Sequence, residues 1–329
     1  MKTSAAIRLS LLSAALLSLL AAVSCSEAAE TVRKTETLTV TLPSPPKSAT
    51  RALGDRGWSE RAVSSLQVMA FSESGLIEDY GRSGGSGVTL KCTPGSKQIW
   101  AFVNAPDMSG IASLSGLGQR SIRLSDNTPV SLVMSGWKGV VVRGSSRDTV
   151  TVSRLCAKVS VKGITKAFSS PVLQSKAFVV NKIYMTNVPG SRPVQEEEGG
   201  EPEWLNKMGY QGDCDALLCD IVGEQVDDVY SEEHTFYVFP NSKSPDIRGG
   251  SWSPRGTRLV IDASIDSERC FYVLDIPDIE ANHSYTFSNI TITRRGSDDE
   301  ESATSPKNVR YTLEVTPWED EEYKYSEYL

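Results

Sequence analysis

Residue types that carry most enzymatic and metal chemistry are rare in this chain of 329 residues, and their spacing does not suit such chemistry. The two histidines, His234 and His283, have no further ligands at the short spacings that zinc sites use. Residues 81–85, GRSGG, match the G-x-S-x-G pattern around Ser83, but a nucleophile elbow needs a strand before it and a helix after it. The sequence after Ser83 predicts a second strand, so we interpret this run as a hairpin loop. No phosphate-binding loop or dinucleotide fingerprint is present, and we expect no enzymatic activity, no catalytic residue, no metal and no cofactor.

Cysteine usage excludes a complete disulfide framework. Six cysteines are present, and setting Cys25 aside for the reason given below leaves an odd number. Cys92 and Cys156 lie in strand-like runs, and we predict that both are buried, inert thiols. Cys214 and Cys219 are close enough in the sequence for a local disulfide, with two free thiols as the alternative.

Residues 1–24 have the form of a secretory signal peptide. Lys2 and Arg8 provide a basic start, an apolar run covers 11–23, and small residues occupy 22–24 directly before Cys25. The apolar run is too short to span a bilayer comfortably. A cysteine placed directly after such a run is typical of lipoprotein signals, so we predict cleavage before Cys25 and acylation of its thiol. Secretion without lipidation is the alternative.

The segment that follows combines a strand with a protease site. Leu38, Val40 and Leu42 alternate with threonines, which is the period of a half-buried strand. Prolines at 43, 45 and 46 end the strand, and a small, polar stretch then leads to Arg51. We interpret this arrangement as a removable strand followed by a cleavage site between Arg51 and Ala52, with Arg56 as the alternative site. An ordinary first strand with a loop after it is the competing interpretation.

The rest of the chain predicts an all-β fold. Short strands separated by Gly, Ser and Pro turns are typical of antiparallel sandwiches, and we place a boundary between two such units at 152/153. The best helical candidate is 109–124, weakened by Gly116 and Gly118. We interpret 189–233, with its run of three glutamates, as a largely solvated acidic insertion.

Charge excludes one class of partner. Residues 1–51 contain six of the 34 Lys/Arg and three of the 41 Asp/Glu, so the remainder carries 28 basic and 38 acidic residues and a net charge of −10. This charge argues against nucleic acid or an anionic membrane surface as a partner. We therefore expect contact with a membrane only through the lipid anchor of the precursor.

Several segments in order resemble the fimbrillins of type V pili from Bacteroidales. The segments are TLTVTL (37–42), SATRALGD (48–55), VSSLQVMAFSESGLIEDY (63–80), PGSKQIWAFVNAP (94–106), LVMSGW (132–137), RLCAKVSVKGI (154–164), NHSYTFSNITITRRGSDDEE (282–301) and LEVTPW (313–318). The resemblance implies two transthyretin-like antiparallel β-sandwich domains with short helices in loops, at 52–152 and 153–329, after a propeptide at 25–51. It also implies delivery to the cell surface as an outer-membrane lipoprotein acylated on Cys25.

The same resemblance implies a route to polymers. An Arg-specific protease would cut after Arg51 and release the strand 38–42, and a C-terminal strand of another subunit would fill the vacated groove. In this chain that donor would be the segment after Trp318, where Tyr323, Tyr325 and Leu329 supply apolar side chains for the groove. The implied partners are other fimbrial subunits, the maturation protease and a ligand on a host or bacterial surface.

Two alternatives stay open at this point. The chain could be a tip or anchor subunit of the same fimbria, since an anchor would keep its first strand and its lipid. It could also be a glycan-binding surface lipoprotein that never polymerises, with Trp137, Trp204 and Trp252 as candidate contacts.

Overall fold

Twenty strands form most of the part of the chain that the structure describes, and in several of them, such as β1 at Glu36–Thr41, apolar and polar residues alternate. A computed structural model describes residues 34–43, 60, 62–195, 201–207, 214–243, 252–301 and 303–318. The described residues from Glu36 onward belong to one compact unit. The expected all-β sandwich fold with short helices in loops is confirmed.

The first sandwich consists of two facing sheets. Sheet A has the order β4 (Gly87–Cys92), β1 (Glu36–Thr41) and β8 (Ser146–Thr149). Sheet B has the order β3 (Ile77–Ser83), β2 (Leu66–Ser72), β5 (Gly95–Val103), β7 (Met134–Val142) and β9 (Ser153–Arg154). One buried apolar cluster, described with the candidate site below, joins the inner faces of these two sheets.

The second sandwich consists of two four-stranded sheets. Sheet C has the order β16 (Val229–Val238), β10 (Ala157–Lys166), β19 (His283–Ile292) and β20 (Val309–Pro317). Sheet D has the order β15 (Cys219–Gln225), β11 (Phe178–Thr186), β17 (Arg258–Ile265) and β18 (Glu268–Asp275). Their inner faces form a second cluster, which continues to the outer face of sheet B through Met69, Phe71, Trp100 and Phe102.

Short elements complete the described chain. Two small sheets pair β6 (Ser121–Arg123) with β13 (Ser191–Pro193) and β12 (Val188–Pro189) with β14 (Trp204–Leu205). The helices are α1 (Leu114–Gly118), α2 (Pro171–Gln174) and a 3₁₀ helix at Leu124–Asp126. None of the helices in the described ranges has the length and apolar character needed to cross a bilayer.

Two expectations about individual elements were wrong. The predicted helix at 109–124 is reduced to α1, because Ser113 caps its start through Gly116 N and two glycines follow within five residues. The segment 189–233 is not simply a loop, since it contributes β13, β14 and β15 to three sheets.

Two strand pairs, β1 with β8 and β10 with β19, are parallel, whereas the other pairs of named strands are antiparallel. The domain boundary at 152/153 stays a prediction.

Candidate functional site

The strand singled out in the sequence, β1, lies in the middle of sheet A. It pairs antiparallel with β4 from Glu36↔Cys92 to Thr41↔Gly87, and parallel with β8 from Leu38↔Ser146 to Thr41↔Thr149. Backbone bonds continue past its end, where Leu42 N donates to Ser86 O at 2.8 Å and Val150 N donates to Thr41 O at 3.0 Å. Taking β1 away would therefore leave two strand edges unpaired at once.

The two faces of β1 match the alternation in the sequence. Leu38 is 1% exposed, Val40 is fully buried and Leu42 is 9% exposed. The threonines lie on the other face, where the hydroxyl groups of Thr39 and Thr89 are 3.3 Å apart. The buried side chains share one cluster with the rest of the sandwich core, made of Leu66, Val68, Ala70, Val88, Leu90, Cys92, Ile99, Ala101, Val103, Met134, Val140, Val142 and Val150. Removing β1 would open an apolar groove lined by these residues, which we call the β1 groove.

The β4 wall of the groove is held by contacts that do not involve β1. Asp79 Oδ2 accepts from Lys91 N at 2.7 Å, and Glu78 accepts from both Thr93 N at 3.0 Å and Thr93 Oγ1 at 2.7 Å. Burial opposes ionisation of Glu78, yet the hydrogen bonds from Thr93 and Lys97 hold its pKa below the usual value. The carboxylate is therefore charged at neutral pH and ties β3 to β4.

Close packing adds to this support. A Cβ placed on Gly81 of β3 would lie 2.4 Å from Val88 Cγ1 of β4, so only glycine lets the two strands approach this closely. The opposite wall, β8, is tied to β7 by an ion pair of 2.5 Å between Lys138 Nζ and Asp148 Oδ1. A hydrogen bond from Lys138 lowers the pKa of Asp148. Both walls thus have attachments to sheet B that would remain without β1.

The predicted processing residues lie outside the described residues. This applies to Cys25, to Arg51 with Ala52 and Arg56, and to the donor side chains Tyr323, Tyr325 and Leu329. Their roles stay predictions.

Glu60 is held in a buried polar cluster on the second sandwich. It is 5% exposed, accepts a hydrogen bond from Tyr237 Oη at 2.7 Å, and forms an ion pair with Lys158 Nζ at 3.0 Å. Its backbone carbonyl accepts from Arg154 Nε at 3.4 Å. Burial and the hydrogen bond to Glu60 raise the pKa of Tyr237 far above its usual value, so its hydroxyl stays protonated and donates.

Trp318, the last described residue, belongs to the same cluster. The Arg154 guanidinium lies 4.4 Å from the centre of its ring, and the Tyr237 ring stacks on it with centroids 5.9 Å apart. Its backbone N donates to Asn282 O at 2.8 Å, and its carbonyl accepts from Arg154 Nη1 at 3.3 Å. Glu60 and Trp318 therefore share Arg154, Lys158 and Tyr237 as neighbours. No pattern in the sequence indicated that Glu60 and Trp318 would share these neighbours.

The histidines and Ser83 have structural contacts. His234 is buried, with Nδ1 2.7 Å from Asp220 Oδ2 and Nε2 2.7 Å from Tyr230 Oη, so both ring nitrogens are engaged. His283 Nδ1 lies 2.9 Å from Ala281 O. Ser83 ends β3 and its hydroxyl accepts from Gly85 N at 2.9 Å. The loop that follows is not the hairpin loop expected from the sequence, because β3 belongs to sheet B and β4 to sheet A, so the loop connects the two sheets. Across the described ranges no group of three or more His, Cys, Asp or Glu residues is arranged to hold a metal ion.

The three tryptophans considered for glycan contact differ in exposure. Trp137 is 57% exposed and stacks on Trp100, with ring centroids 6.2 Å apart. Trp204 is 8% exposed and packs against Trp252, whose Nε1 donates to Asn187 Oδ1 at 3.1 Å. One of the three candidates therefore presents a largely open ring, and it lies on β7.

The five cysteines in the described part of the chain are thiols. Cys92 and Cys156 are fully buried, as predicted, and so is Cys270. Cys214 and Cys219 are half-buried thiols that pack against the small apolar cluster around Tyr184. A disulfide between the last two stays a prediction.

Comparison with known proteins identifies the class of fold. No protein-family model and no curated protein matches the sequence. Among solved structures, 44 chains match. A protein assigned to cell adhesion from Bacteroides eggerthii has a TM-score of 0.67 and 18% identity, with 87% of this chain and 96% of that chain covered. A fimbrilin (FimA) from Porphyromonas gingivalis W83 has a TM-score of 0.60 and 16% identity, with 87% and 99% covered.

A third solved structure is the tip fimbrial protein Mfa3 from Porphyromonas gingivalis, with a TM-score of 0.50, 15% identity and coverage of 87% of this chain and 100% of that chain. The chain thus has the fold of Bacteroidales fimbrillins over most of its length. The resemblance seen in the sequence is confirmed at the level of fold.

Proposed function

We propose that the chain is a structural subunit of a type V fimbria that polymerises by exchange of strands between subunits. It is exported as a lipoprotein acylated on Cys25, cut after Arg51 by an Arg-specific protease, and assembled with other fimbrial subunits into an adhesive surface fimbria. The similarity in fold to a fimbrilin, a tip fimbrial protein and a protein assigned to cell adhesion supports this function.

The observation that carries the proposal is the position of β1. A strand to be removed from a folded subunit must be a detachable end of the chain, yet must leave behind a site that a new strand can fill. β1 precedes the other described strands, is followed by the Arg51 segment, and fills the middle of sheet A. The β4 and β8 walls have their own attachments through Asp79, Glu78 and Lys138. A groove of defined width would thus persist long enough to receive a donor.

The energetics favour refilling the groove. The groove offers two unpaired strand edges and the pockets of three apolar side chains. Burying three such side chains from a donor contributes roughly 1.5–3 kcal/mol each before the cost of ordering the strand. The proposed donor supplies Tyr323, Tyr325 and Leu329, and it starts from Trp318, whose position is held by Arg154 and Tyr237.

The alternative functions, as an anchor subunit, a tip subunit or a glycan-binding lipoprotein, require different features of the chain. An anchor subunit would retain β1 and the lipid on Cys25, and a tip subunit would need no usable donor. A glycan-binding lipoprotein would need an exposed aromatic platform, for which Trp137 is the available candidate. The paired occurrence of a detachable central strand and a C-terminal tail favours a shaft or tip-proximal subunit.

N-terminal sequencing of the surface-exposed protein tests the proposal. We expect the mature chain to begin at Ala52 in wild type and in an Arg56→Gln control, and to retain Cys25 in an Arg51→Gln variant. The Arg51→Gln protein should stay monomeric, because β1 still occupies the groove. Mature wild-type protein that begins at Cys25 would overturn the shaft assignment, and polymers formed by Arg51→Gln would overturn strand exchange at this groove.

A further inference from the structure

Cys214 is positioned by its neighbour Asn206. The Asn206 side chain donates to Met185 O at 2.9 Å and to Cys214 Sγ at 3.0 Å, and its oxygen accepts from Asp215 N at 2.9 Å. One amide therefore ties the segment around Cys214 to β11. The backbone of Asn206 is left-handed, with φ 45°, which asparagine tolerates better than most residues.

Cys219 is also positioned by β11. It begins β15 and pairs with Tyr184 of β11, the residue before Met185. Between the cysteines, Leu218 N donates to Asp215 O at 2.9 Å, and Leu218 is fully buried. The two cysteines are thus held at adjacent positions along β11 by contacts that do not depend on each other.

The two thiols influence each other's ionisation. The positive charge of Lys182 favours the thiolate form of both. The hydrogen bond from Asn206 also favours a thiolate on Cys214. A thiolate on either sulfur can therefore begin thiol–disulfide exchange.

The other thiols of the described chain have no such arrangement. Burial raises the pKa of Cys92 to about 11 and that of Cys156 to about 12, and it also raises the pKa of Cys270. All three are enclosed in the apolar clusters. They have neither the access nor the acidity for thiol–disulfide exchange.

We propose that Cys214 and Cys219 form a disulfide after export, by exchange with a disulfide-bearing oxidant. The thiolate of one cysteine attacks one sulfur of the oxidant, and the other sulfur of the oxidant leaves as a thiolate. The second cysteine then loses its proton and attacks the sulfur of the first, which breaks the mixed disulfide and releases the second oxidant thiol. Two protein thiols lose two electrons and two protons, and the oxidant disulfide becomes two thiols.

The proposed disulfide lies at the edge of sheet D. β15 is an outer strand of that sheet, and the cysteines pack on Tyr184 and its apolar neighbours Val260, Phe271 and Val273 outside the main core. A bridge would close the segment 214–219 over this small cluster. The inference relies on export to an oxidising compartment but not on cleavage, donor strand or polymerisation.

Intact-peptide mass spectrometry tests the bridge. The full-length chain carrying Cys25→Ser is exposed to oxidised glutathione, then denatured, alkylated without reduction and digested with trypsin. Both cysteines lie in the tryptic peptide 208–243. We expect this peptide to be lighter by two hydrogen atoms than its reduced form and to carry no alkyl group. Alkylation should appear on Cys92, Cys156 and Cys270 in the same digest.

Matched single variants serve as controls. In Cys214→Ser and in Cys219→Ser, the remaining cysteine of the peptide should carry an alkyl group or one glutathione, because its partner is missing. Equal melting temperatures for the two variants would show that both are folded. Alkylation of both cysteines in the unreduced wild-type pair, or a bridge from Cys219 to another cysteine, would overturn the proposal.

Discussion

Leu38 and Leu90 give the sharpest test of strand replacement, because they face each other across β1 and β4. They are direct partners in the antiparallel register, and both are buried, with Leu38 1% exposed and Leu90 fully buried. If β1 is discarded, Leu38 belongs to the precursor alone. Leu90 belongs to the wall of the groove before and after exchange.

The expected size of the effect follows from burial. Replacing a buried leucine by alanine costs about 2–5 kcal/mol, depending on how far the site can collapse. β1 is hydrogen-bonded on both sides, so its backbone cannot move inward to fill the space left by Leu38. We therefore expect Leu38→Ala to destabilise the precursor by about 3 kcal/mol, and Leu90→Ala by a similar amount.

The measurement has two parts. Urea unfolding of the uncut precursor, followed by tryptophan fluorescence, gives the free energy of unfolding of each variant. Denaturant-induced dissociation of fibres grown from the cut protein gives the stability of the exchanged state. Leu38→Ala fibres should match wild type, whereas Leu90→Ala fibres should dissociate at lower denaturant.

Two results would refute this reasoning. Leu38→Ala fibres weakened as much as Leu90→Ala fibres would mean that β1 is retained in the polymer. A Leu38→Ala precursor as stable as wild type would mean that β1 does not contribute to the core of the first sandwich.

Three further predictions concern delivery, donation and the Trp318 cluster. Cys25→Ser should block delivery to the surface without preventing folding of the chain. Labelling with a palmitate analogue and surface proteolysis measure this effect, and an unlabelled chain at the surface would contradict the lipoprotein route. Deleting 319–329 should leave a folded, Arg51-cut monomer that accepts a donor strand but cannot act as one, so normal fibres from this truncation would place the donor elsewhere. Trp318→Ala should lower the free energy of unfolding by about 3–5 kcal/mol, because it removes a buried ring that stacks on Tyr237 and lies under Arg154. In the same urea titration, Trp137→Ala is the control at an exposed position and should change the free energy of unfolding by less than about 1 kcal/mol.

Several features of the molecule could be predicted because they depend on short-range pattern. The alternation at 37–42 predicted which side chains of β1 are buried, and the structure has that face inward. The strand-like runs around Cys92 and Cys156 predicted buried thiols, and both are buried. The sequence after Ser83 predicted a second strand rather than a helix, and β4 begins at Gly87. In each case the information lies within a few residues, since the side chains of a strand alternate with a period of two.

Errors arose where distant parts of the chain compete with local preference. Residues 121–123 fit a helical window, but they pair with 191–193 as a strand. The acidic segment 189–233 has the composition of a solvated loop, yet β15 in it is a partner of β11. Composition cannot report such pairing, because the hydrogen bonds are supplied by residues far away in the sequence.

The sequence by itself determined that the chain is an all-β protein with an amphipathic first strand. Export through Cys25 and cleavage after Arg51 stay predictions from the sequence. The tertiary structure decided that β1 is a central strand, with β4 on one side and β8, more than 100 residues away, on the other. It also decided that Glu60 and Trp318 share the neighbours Arg154, Lys158 and Tyr237. The physical reason is that alternation specifies which face of a strand is buried, whereas its neighbours are chosen by the hydrogen bonding and packing of the whole core.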